Sequence, residues 1–244
     1  MKLSGGELLL RCLEQEKVRF VFGIVGGQLL TFMDAVQRLG EDADIQYIGA
    51  RHEQAAANMA DAFSRVTGTP GVCMGTIGPG GANLIPGLYP AFADSIPVVA
   101  LTAQNQTWKS YPDHGSTQGL DQLTLFKGVT KWNAAISHFQ RIPEIMQRAF
   151  REATSGKPGP VNVDMPVDVL FASGEIDPSL IVPPESYRCL NPPAGNPDAI
   201  KKAAQMLVKA EFPFIHAGGG VLRADASKEL VALAEHLAAP VSTS

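Results

Sequence analysis

The chain has 244 residues, 45% hydrophobic and 18% charged, a water-soluble globular make-up long enough for one large domain or one domain and part of another. A formal net charge of -4, with no basic block, gives nucleic acid and anionic membrane surfaces no support as partners. No apolar run reaches the length of a membrane span and Met1-Lys2-Leu3-Ser4 opens no signal-peptide core, so a cytoplasmic protein is expected.

In chain order, Glu7 to Lys17 carries apolar residues at Leu8, Leu9, Cys12 and Leu13, an amphipathic helix. Val21 to Val25 follows as a strand, Gly26-Gly27-Gln28 as a turn, and Leu29 to Leu39 as a helix ended by Gly40. Ile45 to Gly49 is a short apolar strand, and an Ala-rich helix then runs from about Glu53 to Thr67 and closes at Gly68. Gly71 to Thr76 is a strand, Ile77 to Gly81 a glycine turn, Asn83 to Phe92 a short helix, and Pro97 to Thr102 another strand. Such alternation predicts an α/β fold, a parallel sheet with helices on both faces.

A long irregular segment, Gln104 to Gln118, comes next, and loops of that length inside a compact domain are often functional. Leu120 to Phe126 and Ile142 to Thr154 are helical, Gly159 to Pro166 is a strand, and the first domain is expected to span residues 1–171. Residues 172–197, rich in Pro, Ser and Gly, form a linker wrapped on the surface. The pattern restarts at 198–244 with a helix to Lys209, a strand from Phe212 to Ala217, Gly218-Gly219-Gly220, a helix from Ser227 to Ala238 and the strand Pro240-Val241-Ser242. This is the beginning of a second α/β domain, and because nothing follows the last strand to pair or cover it, that domain is expected to be truncated.

Candidate chemistry concentrates where strands end. Glu53 stands just after a strand and at the start of a helix, where open α/β sheets bind ligands. Its simplest reading is a first-turn acid favoured by the helix dipole; the other is a ligand-binding carboxylate. Gly78-x-Gly80-x-x-Asn83 has the setting of a dinucleotide fingerprint but lacks the third glycine and the distant acid, and no Gly-Lys-Ser/Thr makes it a P-loop. His52 as a base oriented by Asp61 fails because Asp61 lies more than two turns along the helix. Asp94-Ser95 reads as a strand-entry turn, and His114 and Gln118 on the long loop are either substrate contacts or solvated. Cys12, Cys73 and Cys189 are odd in number and far apart; Cys12 and Cys73 fit buried reduced thiols, and no metal site is read from any Cys/His spacing.

Taken in order, Phe20-Val21-Phe22-Gly23-Ile24-Val25-Gly26-Gly27, Arg51-His52-Glu53-Gln54, Gly68-x-x-Gly71-Val72-Cys73, Gly78-Pro79-Gly80-Gly81-Ala82-Asn83-Leu84, Asp94-Ser95-Ile96-Pro97-Val98 and Gly156-Lys157-Pro158-Gly159-Pro160-Val161 do what none does alone. The set resembles the pyrimidine-binding domain of thiamine-diphosphate enzymes of the acetolactate synthase type, with Val25 standing where a proline is usual. Ala217 to Val221 and Ala234 to Val241 resemble the start of that family's central domain.

The resemblance implies that Glu53 contacts N1′ of the thiamine aminopyrimidine. A charge-assisted hydrogen bond there favours the imino form of the 4′-amino group, which can then take the C2 proton of the thiazolium. Such a site must be shielded from water. Gly26, Gly27, Gly78, Pro79, Gly80 and Asn83 are implied as cofactor neighbours, and Gln118 as a side chain reaching toward the substrate, a partial match in its Ser116-Thr117-Gln118-Gly119 setting; for His114 the loop reading, substrate contact or solvated, stands alone. The Gly-Asp-Gly…Asn motif through which the family holds diphosphate and Mg²⁺ is absent from these residues, so the resemblance puts that half of the site elsewhere. It also implies a homodimer or homotetramer sharing sites between subunits, and leaves FAD open through the central domain. The implied activity makes or breaks a C–C bond beside a carbonyl, first among 2-oxo acids. Leu120-Asp121-Gln122 resembles the oxalyl-CoA decarboxylase and 2-hydroxyacyl-CoA lyase relatives, which gives an acyl-CoA substrate as the alternative. A non-catalytic interaction module of the same fold is the third reading.

Overall fold

The computed structural model describes residues 1–39, 42–112, 114–191 and 193–244 and resolves two compact units, Met1–Arg188 and Cys189–Ser244. Gly40, the expected stop of the second helix, lies outside the described residues.

The first unit runs β1 (Lys2–Ser4), α1 (Gly5–Gln15), β2 (Phe20–Gly23), α2 (Leu30–Leu39), β3 (Gln46–Gly49), α3 (Glu53–Thr67), β4 (Gly71–Gly75) and α4 (Pro79–Asp94). It continues with β5 (Val98–Gln104), α5 (Thr107–Ser110), α6 (Gln122–Phe126), β6 (Trp132–Ala135), α7 (Ile142–Thr154), β7 (Val161–Pro166), α8 (Val167–Phe171) and β8 (Ser173–Glu175). Six strands form one parallel sheet in the order β3-β2-β4-β5-β7-β6. Period-two alternation sends Val72, Met74, Val99 and Leu101 into a core with α1, α2 and α7, and Cys73, Val98 and Ala100 into another with α3, α4 and α6. Both faces are therefore covered, as the apolar strands require. Cys12 and Cys73 are buried and free, and burial pushes the Cys73 thiol up to about 12.

Local chemistry sets the helix ends. Ser4 Oγ accepts from the Glu7 N–H at 3.2 Å and Glu7 accepts from the Ser4 N–H at 2.7 Å, a capping box that opens α1. Gly68, at φ 72°, closes α3 in the left-handed region as expected. The glycine turn is shorter than its composition suggests. Helix α4 already begins at Pro79, whose missing N–H costs nothing in a first turn, and it runs through Pro86 and Pro90 to Asp94. Asp94-Ser95 is accordingly the end of that helix, Ser95 taking the left-handed cap.

Residues beyond 171 stay tied to the first unit as far as Arg188. Strand β8 pairs antiparallel with β1, and Glu16 at the end of α1 accepts from the Tyr187 hydroxyl and pairs with the Arg188 guanidinium. Glu16 and Arg188 side chains are only 2% and 10% exposed, so the clasp is buried. In the second unit, α9 (Pro197–Lys209), β9 (Ile215–Ala217), α10 (Gly220–Arg223), α11 (Ser227–Leu237) and β10 (Val241–Thr243) follow in order. The last strand has a partner after all, β9, with Val241 opposite Ile215 in parallel register. Among the described residues no helix is long and apolar enough to cross a membrane.

Candidate active site

The chain leaves β2 for β3 on one side and then returns to place β4 on β2's other side. That reversal lies between the carboxyl ends of β2 and β4, and such switch points are where doubly wound sheets take their ligands. Gly26, Gly27 and Gln28 follow β2 there, and Thr76 to Asn83 follow β4. Thr76 Oγ1 donates to Gln28 Oε1 at 3.0 Å, joining the two segments, and a Cβ on Gly26 would run into the Thr76 side chain.

Glu53 enters from the adjacent strand end. His52 caps α3, its Nδ1 accepting from the Gln54 N–H at 3.2 Å, so Glu53 is the first helical residue. It is 7% exposed, a shielded acid at a helix N-terminus, where negative charge is favoured. Asn83 Nδ2 donates to its Oε2 at 3.1 Å. Helix packing dictates this meeting. A Cβ on Gly87 would stand 2.6 Å from the Gln54 carbonyl oxygen and 2.7 Å from the Ala57 Cβ, so only glycine lets α3 and α4 come this close. Asn83 and Glu53 each lie four residues, about one turn and about 6 Å, before Gly87 and Ala57. The two helices start at the same sheet edge and run together, which brings the polar pair into contact.

The other Glu53 oxygen, Oε1, receives no hydrogen bond from the described residues and would be 3.4 Å from a Cβ on Gly80. The Tyr47 hydroxyl nearby is buried without a partner among the described residues; burial, then the Glu53 charge, pushes its pKa up. Gly27 is exposed, with nothing within 4 Å of where a Cβ would stand, and Pro79 is exposed at the first position of α4. Gly78 has φ 61°, and a Cβ there would collide with the carbonyl oxygen of Gln118.

Gln118, itself at φ 60°, thus lies against the glycine turn, which brings the long loop to the site. His114 is exposed on that loop, its backbone N–H bonded to the Lys109 carbonyl at 3.2 Å. Asp61 is drawn away from His52 by Arg65, which it meets at 3.0 Å. Among the described residues no group of three His, Cys, Asp or Glu is disposed to hold a metal. Sequence reasoning passed over Tyr47, Thr76 and Asp164. Only the last left a signal, an acid in the largely apolar strand Val161–Pro166, where it and Asn162 are the two polar residues and both are fully buried.

Glycine walls, a carboxyl group bonded on one oxygen and a phenol with no partner among the described residues thus stand together at a switch point of the sheet. The fold and the placing of these groups are those of an α/β ligand-binding domain. Residues 3–125 match the thiamine pyrophosphate enzyme, N-terminal TPP binding domain, and residues 200–244 the central domain of the same enzymes. The chain belongs to the thiamine pyrophosphate enzyme family. It is 43% identical to a probable acetolactate synthase large subunit of Methanocaldococcus jannaschii, over 99% of this chain and 40% of that protein. A probable acetolactate synthase large subunit of Methanococcus aeolicus is 42% identical (99% and 39%), and a glyoxylate carboligase of Escherichia coli 37% (98% and 39%). The chain spans about two fifths of the length of these relatives.

Proposed function

We propose that this chain forms the cofactor-activating part of a thiamine-diphosphate enzyme of the acetolactate synthase kind, making or breaking a C–C bond beside the carbonyl of a 2-oxo acid. The observation that carries the reading is the shielded Glu53 carboxyl group, held on one oxygen by Asn83 with the other facing the glycine wall. When bound, thiamine diphosphate supplies the carbanion chemistry; the protein supplies orientation and electrostatics. Glu53 holds a proton at N1′ of the aminopyrimidine, a charge-assisted bond that depends on exclusion of water. Asn83 fixes the carboxyl orientation, so that Oε1 is the atom offered to the ring. Gly26, Gly27, Gly78, Pro79 and Gly80 form the wall beside it, and Gln118 and His114 serve the substrate.

The diphosphate and Mg²⁺ belong, in this reading, to residues outside these 244, consistent with the share of the relatives' length that is matched. The working form is a cytoplasmic homodimer or homotetramer with sites shared between subunits, and FAD would enter through the central domain. The acyl-CoA alternative is the weaker reading, since Asp121 and Gln122 are engaged within the protein, Asp121 capping α6 through Thr124 and Gln122 Nε2 donating to Asp164. Calorimetry with thiamine diphosphate and Mg²⁺, with and without the diphosphate-binding portion, tests the reading. Binding only in the assembled form, with turnover of pyruvate, supports it. No binding in either form would leave a non-catalytic module, and turnover of oxalyl-CoA or a 2-hydroxyacyl-CoA without pyruvate would restore the alternative.

A further inference from the structure

Asp164 is fully buried near the end of β7, and among the described residues no cation pairs with it. Four neutral donors surround it instead. Thr102 Oγ1 at 3.0 Å and Gln122 Nε2 at 2.7 Å meet Oδ1; Gln104 Nε2 at 3.1 Å and the Tyr111 hydroxyl meet Oδ2. A carboxylate offers about four acceptor positions, so this one is saturated. Taking such a group out of water without a cation is costly, and burial pushes its pKa up to about 7. An apolar residue of similar size would avoid that cost but leave four donors unpaired.

The donors show what the arrangement does. Thr102 and Gln104 belong to β5, whereas Tyr111 and Gln122 stand on either side of the segment that bears Gln118. Gln104 Nε2 also donates to the Leu120 carbonyl at 2.9 Å, and Gln122 Nε2 to the Ala103 carbonyl at 2.9 Å. The loop from 105 to 121 is therefore tied to the sheet at Tyr111, Leu120 and Gln122, with Gln118 between the ties and its carbonyl against Gly78. The geometry points to Asp164 as a positioning residue that holds this loop on the carboxyl edge of the sheet and so sets where Gln118 stands beside the glycine turn. Its link to turnover rests on the thiamine reading; its hold on the loop does not.

Two variants test it. Tyr111→Phe removes one tie on the loop side and leaves the strands intact; Asp164→Asn keeps the shape but exchanges an acceptor for a donor. Amide hydrogen–deuterium exchange on the ligand-free chain at about pH 8, where Asp164 is ionised, is expected to quicken about ten- to a hundredfold within 105–121, as loss of a hydrogen bond to a charged group implies. Exchange in β5 and β7 stays slow in Tyr111→Phe. In the enzyme assembled with the diphosphate-binding portion, KM for pyruvate rises severalfold in Tyr111→Phe while the affinity for thiamine diphosphate holds. Unchanged loop exchange in a folded Tyr111→Phe chain, or quickening spread equally through β5 and β7, overturns the loop-holding role. An unchanged KM beside a loosened loop overturns the link to Gln118. Failure of the parent assembly to bind thiamine diphosphate would instead strike the functional reading, because the exchange experiment needs no ligand.

Discussion

Replacing Asn83 with aspartate puts a second carboxyl group where an amide nitrogen now stands 3.1 Å from Glu53 Oε2. The change removes one hydrogen bond to a charged acceptor, about 1.5–3 kcal/mol, and sets two like charges side by side. At a separation of about 4 Å and an effective dielectric of about 20, their repulsion is about 4 kcal/mol. Sharing one proton relieves part of this, so a net loss of about 3–5 kcal/mol is expected at pH 7.5, a large share of the stability of an ordinary domain. The folded variant holds a proton that the unfolded chain releases, so its stability falls as pH rises, and below about pH 4, where the unfolded carboxyl groups are also protonated, the deficit shrinks. Both tryptophans, Trp108 and Trp132, lie in the first unit, so their fluorescence during urea unfolding reads that unit alone. A loss under about 1 kcal/mol at pH 7.5, or an equal loss at pH 7.5 and at about pH 3.5, would refute the pairing of Asn83 with Glu53.

Glu16→Gln leaves the Arg188 guanidinium buried without its anion while keeping an acceptor for Tyr187, so it is expected to cost about 3 kcal/mol in the same assay. A loss under about 1 kcal/mol would mean that the clasp contributes little. Asp164, with its pKa raised to about 7, makes the folded chain hold a proton that the unfolded chain gives up above about pH 4. Its contribution therefore lowers stability as pH rises from about 4 to about 7, and Asp164→Asn is expected to flatten that part of the pH profile; an unchanged slope would exclude Asp164 as its source.

Much of the fold was written in the sequence because both faces of a parallel sheet need apolar residues. Val72, Cys73, Met74, Val98, Val99 and Ala100 announce their strands whichever core they enter. Edges were harder. Strand β6, Trp-Asn-Ala-Ala, is half-buried with no alternation, and β1 and β8 are three residues each, held by a pairing of Lys2 with Glu175, Leu3 with Gly174 and Ser4 with Ser173 that no local pattern carries. The glycines of Pro79-Gly80-Gly81 suggest a turn, yet their backbones are helical because Pro79 starts the helix and close packing needs small residues. Glu53 was legible because its position is local, one step from strand to helix. Its contact with Asn83 was not, because it depends on Gly87 and Ala57 letting two helices touch. The buried hydrogen bonds of Asp164 likewise gather side chains from β5, the long loop, α6 and β7.

The role given to Glu53 makes one kinetic demand, that its carboxyl group speed loss of the C2 proton of bound thiamine diphosphate. The direct measurement is deuterium exchange at C2 in the enzyme assembled with its diphosphate-binding portion, parent against Glu53→Gln. Glutamine keeps the size and the contact with Asn83 but cannot hold N1′ with a charge. Exchange is expected to slow by roughly a hundredfold to ten-thousandfold with the cofactor still bound. Exchange at the parent rate in a folded, cofactor-loaded Glu53→Gln enzyme would contradict the role of Glu53.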